Sequence, residues 1–304
     1  MKSDPKNNDS KTSDPKSSNS KASDSTKKIS ARKWIRIALI SVLALVFIGS
    51  AAYIFKYCHN SKKEAENYSN LQHLKEDGPT TPRPVVNGDG TVTPPSEPPA
   101  MVEVTDPKTG ETIQILPEFK ELYLKNSDLV GWIEIPGTDI NYPVMHAPTQ
   151  KDYYLTRNFN KEESNHGCLY IQENCDVFAP TENVIIYGHR MRDRSMFAQL
   201  DKFEKKEFWE ANQYIYFDTL KEVHTYQIMA VIVTTATEDS GFPYHKFVNL
   251  SEEDRFKEFA NACKGWSLFS TGIEAVPGDK LITLSTCDYT NPHGRLVVVA
   301  KRIT

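Results

Sequence analysis

A thiol, an imidazole and a guanidinium, each beside an apolar run, are the side chains here best placed to do chemistry. Cys287 closes the run Leu281-Ile282-Thr283-Leu284-Ser285-Thr286-Cys287, a polar loop over 288–294 follows, and Arg295 opens the apolar run 296–300. A cysteine at a strand end facing an arginine on the neighbouring strand suits a nucleophile beside a fixed cation, because the thiolate is the reactive form and positive partners sustain it. The same residues also fit a small apolar side chain ending a strand, with Arg295 a surface charge. Local sequence alone weighs slightly toward that plainer role. A nucleophilic thiol also needs an acid–base group. Among eight histidines, His189 follows Asn183-Val184-Ile185-Ile186-Tyr187-Gly188, another strand end with a glycine turn, and precedes the polar stretch 190–194.

The other four cysteines have less to recommend them. Cys58 and Cys263 are most simply structural. Cys168 and Cys175 bracket a β-like run, and both packing and a disulfide between them stay open. Metal-ligand spacings such as His-x-x-x-His or Cys-x-x-Cys are absent, as are Gly-x-Ser-x-Gly and a phosphate-cradling glycine loop. No metal and no cofactor are expected.

These residues must be held by strands. Eight β-like runs, separated by turn residues, cover 132–135, 140–144, 168–172, 183–187, 214–218, 223–235, 280–286 and 295–301. That number and spacing predict a closed barrel or sandwich. Helical patterns cover 117–125, 195–211 and 251–263, the last opening on Ser251-x-x-Asp254, an acidic variant of the capping box. The 192 residues from 113 to 304 suffice for one buried core. The expected class is mainly β with helices (α+β).

Ahead of this domain the chain changes character. Residues 1–36 hold ten Lys/Arg and four Asp, a net +6, with a loose ten-residue echo that has no apolar face to stack. This segment reads as a disordered basic tail. Residues 37–55 are 19 uncharged positions, about 28 Å as a helix, enough for a hydrocarbon core of about 30 Å. Arg32, Lys33 and Arg36 crowd the near flank, so the positive-inside rule puts the tail in the cytoplasm and the rest outside. Gly49-Ser50-Ala51 resembles a cleavage site, but the apolar run is longer than a signal core and favours an uncleaved single-pass anchor over 37–57. A short helix over 64–75 and a stalk with seven prolines over 77–99 fill most of 58–112. The exported 58–304 carries −11, against −4 for the whole chain and a sequence pI of about 6.1. That balance argues against a nucleic-acid partner. With one apolar stretch the chain is not polytopic, and five cysteines do not make a disulfide scaffold.

Motifs spread over the domain give a family resemblance. Thr283-Leu284-Ser285-Thr286-Cys287 with Arg295 eight residues on resembles the active-site strand pair of sortases. Tyr187-Gly188-His189-Arg190-Met191 followed by Ser195-Met196-Phe197-Ala198-Gln199-Leu200 resembles the histidine segment of class B sortases, and Gly131-Trp132-Ile133, Ile140-Asn141-Tyr142-Pro143-Val144 and Asp152-Tyr153-Tyr154-Leu155 resemble further landmarks of that class. The resemblance implies a closed eight-stranded sortase-type barrel over 113–304 behind one transmembrane helix, in a membrane enzyme of Gram-positive type. It implies a cysteine transpeptidase in which Cys287 attacks the carbonyl after the Thr of a sorting signal. Arg295 then binds the oxyanion or the substrate carbonyl. His189 protonates the leaving amine and assists an incoming one from a lipid-linked cell-wall precursor. Ser285, Tyr244, Leu155 and Thr286 are the expected substrate contacts; for Tyr244, packing on the barrel fits equally. A pilin-linking enzyme using a lysine amine and a silent adhesin on the same barrel are the other readings. The chain departs from the class B pattern at Gln150-Lys151 and at Arg190, where Asn is frequent. Pro107-Lys108-Thr109-Gly110 resembles part of a sorting signal but lacks a following apolar tail, and is read as stalk.

Overall fold

The computed structural model describes residues 22–87, 91–95, 97–235, 241–288 and 293–304, with side chains from residue 31 onward. It divides into two compact units, Met1–Asn60 and Ser61–Thr304. The only described secondary structure of the first unit belongs to helix α1 (Ala22–Glu76). The tail expected to be disordered lies outside the described residues up to 21, and 22–36 are helical. From Trp34 to Phe55 every large apolar side chain is at least 53% exposed. A helix apolar on all sides needs an apolar solvent. Among the described residues this is the one helix long and apolar enough to cross a membrane.

The second unit is built on a closed eight-stranded barrel. Its strands are β1 (Leu129–Glu134), β2 (Asn141–Met145), β3 (Leu169–Ile171), β4 (Asn183–Tyr187), β5 (Tyr214–Thr219), β6 (Thr225–Thr235), β7 (Leu281–Asp288) and β8 (Gly294–Arg302). Each coincides with one of the eight runs expected from the sequence. The order around the barrel is β6-β8-β7-β4-β3-β2-β1-β5, closing back on β6. Two neighbouring pairs are parallel, β7 with β4 and β2 with β3. Strands β7 and β8 are buried almost along their whole length, which is why they read as near-continuous apolar runs. Trp132, Phe197, Phe203 and Phe217 fill the core.

Helix α2 (Lys120–Lys125) follows a 3-10 turn at Pro117–Phe119, α3 is Lys206–Ala211, and α4 is Glu253–Trp266. The helical stretch expected over 195–211 is mostly a 3-10 helix, Phe197–Glu204, before α3. Helix α4 buries Phe256, Phe259 and Cys263. The expected capping box does not form: Glu252 is the N-cap, and the Ser251 hydroxyl donates to Asn249 Oδ1 at 2.8 Å instead.

The compact unit begins at Ser61, ahead of the catalytic boundary expected at 113. The last turns of α1 bury Glu64, Tyr68 and Leu71 against the barrel. Tyr68 donates to the Gly167 carbonyl at 2.5 Å and meets the Tyr142 ring edge-on at 5.2 Å. The proline-rich segment docks on this unit near its start. Thr81 donates to Glu118 at 2.9 Å, and Arg83 grips the buried Asp218 carboxylate with both nitrogens while stacking on Tyr216 at 4.5 Å. Proline excludes a core of the segment's own; it does not prevent docking onto another. A hairpin follows, Val102–Thr105 paired with Thr112–Ile115. Its turn holds Pro107-Lys108-Thr109-Gly110, with Gly110 at φ +75°. There the Gly110 N–H donates to the Asp106 carbonyl at 2.9 Å, and Lys108 pairs with Asp128.

Candidate active site

The β7–β8 hairpin sets the thiol against the guanidinium. Antiparallel register places Cys287 directly opposite Arg295, and Ser285 opposite Val297. Cys287 is the one half-buried residue of β7, and Arg295 is likewise half-buried. Both therefore sit where a barrel wall opens to solvent. Arg295 Nη1 donates to the Gly294 carbonyl at 2.9 Å.

The histidine reaches the same end of the barrel because β4 runs parallel to β7. Tyr187 pairs with Ser285, and the Gly188 N–H donates to the Ser285 carbonyl at 3.1 Å. His189 thus lies two residues past the last rung on β4, as Cys287 does on β7. Gly188 is required by close approach: a Cβ there would lie 2.3 Å from Leu169 Cδ2 and 2.7 Å from Phe197 Cδ2. His189 is half-buried, and its carbonyl accepts from the Phe197 N–H at 2.9 Å. Its Nε2–H donates to the Leu155 carbonyl at 2.7 Å. A carbonyl only accepts, so Nε2 carries the proton and a neutral ring keeps Nδ1 for proton exchange. Leu155 ends the 3-10 turn Tyr153–Leu155, which is pinned where the Cys168 N–H donates to the Tyr154 carbonyl at 2.9 Å.

Tyr244 opens a 3-10 turn, Tyr244–Lys246, and its hydroxyl meets Ser285 Oγ at 2.6 Å. Both residues are buried. Burial pushes the Tyr244 phenol up, the Ser285 and Arg295 contacts pull it down, and the Cys287 charge pushes it up. Tyr244 therefore neighbours all three. The structure brings together Cys287, Arg295, Ser285 and Tyr244, and joins His189 to Leu155. Thr286 is different: it points to the opposite face of β7 from Cys287, is buried, and its Oγ1 has no hydrogen-bond partner among the described residues. The role of the Leu155 carbonyl escaped sequence reasoning, since a backbone acceptor leaves no mark on residue type. The loop after Cys287 lies largely outside the described residues.

The three buried thiols, Cys168, Cys175 and Cys263, are poor nucleophiles. Cys168 and Cys175 are both free and buried, so the disulfide left open by the sequence is not formed. Burial pushes the Cys168 thiol up to about 12 and the Cys175 thiol up to about 11, and it raises Cys263 as well. No cluster of His, Cys, Asp and Glu able to hold a metal occurs among the described residues. A cavity of about 590 Å³ beside α4, lined by Met229, Lys264 and Phe269 among others, includes none of the residues above.

A family profile described as a Sortase domain matches residues 133–303, more than half of the chain. The chain belongs to the sortase family. Sortase B of Staphylococcus aureus is 31% identical over 191 residues, covering 62% of this chain and 76% of that protein. The crystal structure of sortase B from Bacillus anthracis in complex with AAEK1 superposes with a TM-score of 0.62 at 29% identity, covering 81% of this chain and 98% of that one. Sortase B of Clostridium perfringens gives a TM-score of 0.56 at 32% identity, covering 61% of this chain and 99% of that one. This sortase is accordingly of class B, a cysteine transpeptidase of the kind that anchors surface proteins. Its single apolar N-terminal helix is consistent with a membrane anchor.

Proposed function

We propose that Cys287, His189 and Arg295 carry the transfer, and that the substrate is the C-terminal sorting signal of a secreted protein, cut after Thr. The carrying observation is the register of Cys287 opposite Arg295, with the parallel strand β4 delivering His189 to the same barrel end. His189 Nδ1 takes the Cys287 thiol proton as Sγ bonds to the carbonyl carbon, and Arg295 offsets the charge developing on the oxygen. His189 gives a proton to the leaving amine as the C–N bond breaks, leaving a thioester. An amine of a lipid-linked cell-wall precursor then attacks, His189 takes its proton, and the thiolate departs. Ser285 and Tyr244 support the substrate strand beside the thiol, and Leu155 acts through its carbonyl on His189. Thr286, facing away from Cys287, is given no substrate contact. The proposed topology is a cytoplasmic N-terminus and an extracellular catalytic unit, from the basic flank at Arg32, Lys33 and Arg36.

Incubation with a library of Pro-x-Thr-type peptides, read by mass spectrometry, tests this. The expected result is an acyl adduct on Cys287 and its absence in Cys287→Ala. Unchanged transfer by Cys287→Ala sinks the assignment. Product analysis with cell-wall precursor peptide against a pilin lysine identifies the accepting amine.

A further inference from the structure

The main-chain ladder between β4 and β7 ends at Ser285 and Tyr187. His189 and Cys287 both lie beyond that last rung. One position further along, the residue after the histidine is tied to the residue after the cysteine. Arg190 donates from Nη1 to Asp288 Oδ1 at 3.3 Å and from Nη2 to Asp201 Oδ2 at 3.1 Å. The Asp288 side chain is only 2% exposed, so its ion pair with Arg190 is a buried one. The far end of the strap is fixed in turn: Arg194 grips Asp201 with two bonds, at 2.5 and 2.7 Å. Asp201 sits on the 3-10 helix Phe197–Glu204, whose first residue bonds the His189 carbonyl. Burial and the charges of Asp288 and Asp201 push the nearby Glu204 carboxyl up, opposed by Arg190, so the guanidinium stands among three carboxyl groups. Two further contacts separate this strap from direct chemistry. The Nε2 proton of His189 is held by Leu155, and the Asp288 carboxylate is held by Arg190.

We propose that Arg190 is a positioning residue for the transfer reaction. By bridging Asp288 and Asp201 it sets the separation of Cys287 from His189 where the sheet no longer does. The inference rests on the reading of Cys287 and His189 as the reacting pair. A planar fork with two donor directions suits the task; a point charge does not span both carboxylates. Reacting groups displaced by about 1 Å lose on the order of a hundredfold in rate, which is the lever such a strap would exert.

The test compares the full chain with Arg190→Met, Arg190→Met/Asp288→Asn and Cys287→Ala. Three readouts are taken: kcat and KM with a sorting peptide, the pH profile of Cys287 alkylation by iodoacetamide, and Tm. Arg190→Met is expected to lower kcat about ten- to a hundredfold with KM nearly unchanged, and to move the alkylation profile. It is also expected to lower Tm, because the buried Asp288 loses its ion pair with Arg190. The double variant removes the buried charge, so its Tm recovers while its kcat stays low. Recovery of kcat together with Tm assigns Arg190 to stability alone and overturns the proposal. Wild-type kcat in Arg190→Met does the same, and if that variant does not fold, wild-type kcat in the double variant decides. Turnover by Cys287→Ala is a separate failure, that of the reacting pair itself.

Discussion

The β7–β8 hairpin and the N-terminal brace, residues 61–83 with the hairpin at 102–115, are built on opposite plans. In the hairpin, residues eight apart in sequence face one another through adjacent main chains, and Cys287 meets Arg295 by register alone. The brace is held by single side chains that reach far along the sequence: Tyr68 to Gly167, Arg83 to Asp218, Thr81 to Glu118. The proposed chemistry thus sits on a main-chain ladder, and attachment is left to separable polar contacts. Changes in the first region should act on rate and those in the second on stability.

The largest separation is expected from Arg295→Lys. Lysine keeps the charge and loses the planar fork, so kcat should fall about 10²- to 10³-fold with Tm nearly unchanged. Near-wild-type turnover would remove Arg295 from the reaction. Tyr68→Phe is the converse experiment. It deletes the donor to the Gly167 carbonyl while keeping the ring on Tyr142, and chemical denaturation should show a loss of about 1 kcal/mol with kcat intact. A kcat loss of the same size would couple the two regions and break the contrast.

The smallest effect is pH-dependent. Burial opposes ionisation of Asp128, but Lys108 at 50% and Lys161 at 41% side-chain exposure, with the Tyr154 hydroxyl, hold its carboxyl below the usual range. A folded-state value below the unfolded one gives stability that is present above about pH 3.9 and is lost as pH falls through the folded value. Asp128→Asn should therefore cost below about 1 kcal/mol at neutral pH and nothing in strong acid, read as converging unfolding curves. A constant gap across the pH range would show that packing, not charge, is lost.

The same contrast explains what was legible in the sequence. Strand runs rich in β-branched residues and bounded by turn residues announce themselves locally, and all eight became barrel strands. The pairing of β4 with β7 is not local, yet Gly188 before His189 and the buried run before Cys287 marked both strand ends. The docking of the segments expected as a short helix and a stalk was not legible, because partners 99 to 135 positions away leave no periodic trace. Ser251 shows a local failure: it carries the right residue type for a cap, but a neighbouring side chain, Asn249, takes its hydroxyl. Thr286 belongs to the same motif as Cys287, and only the alternation of the strand sends it to the other face.

One turn of the brace carries a consequence for how an acyl-transfer enzyme lives with its own sequence. Pro107-Lys108-Thr109-Gly110 spells a fragment like the peptides this site is proposed to read. Here it is curled into a hairpin turn, closed by bonds from the Asp106 N–H to the Glu111 carbonyl and from the Gly110 N–H to the Asp106 carbonyl. Its lysine is committed to Asp128, and its glycine holds a left-handed backbone conformation. The bond after Thr109 cannot be laid out as a strand without first undoing that turn. Shape thus adds to the missing apolar tail in keeping this fragment apart from such peptides.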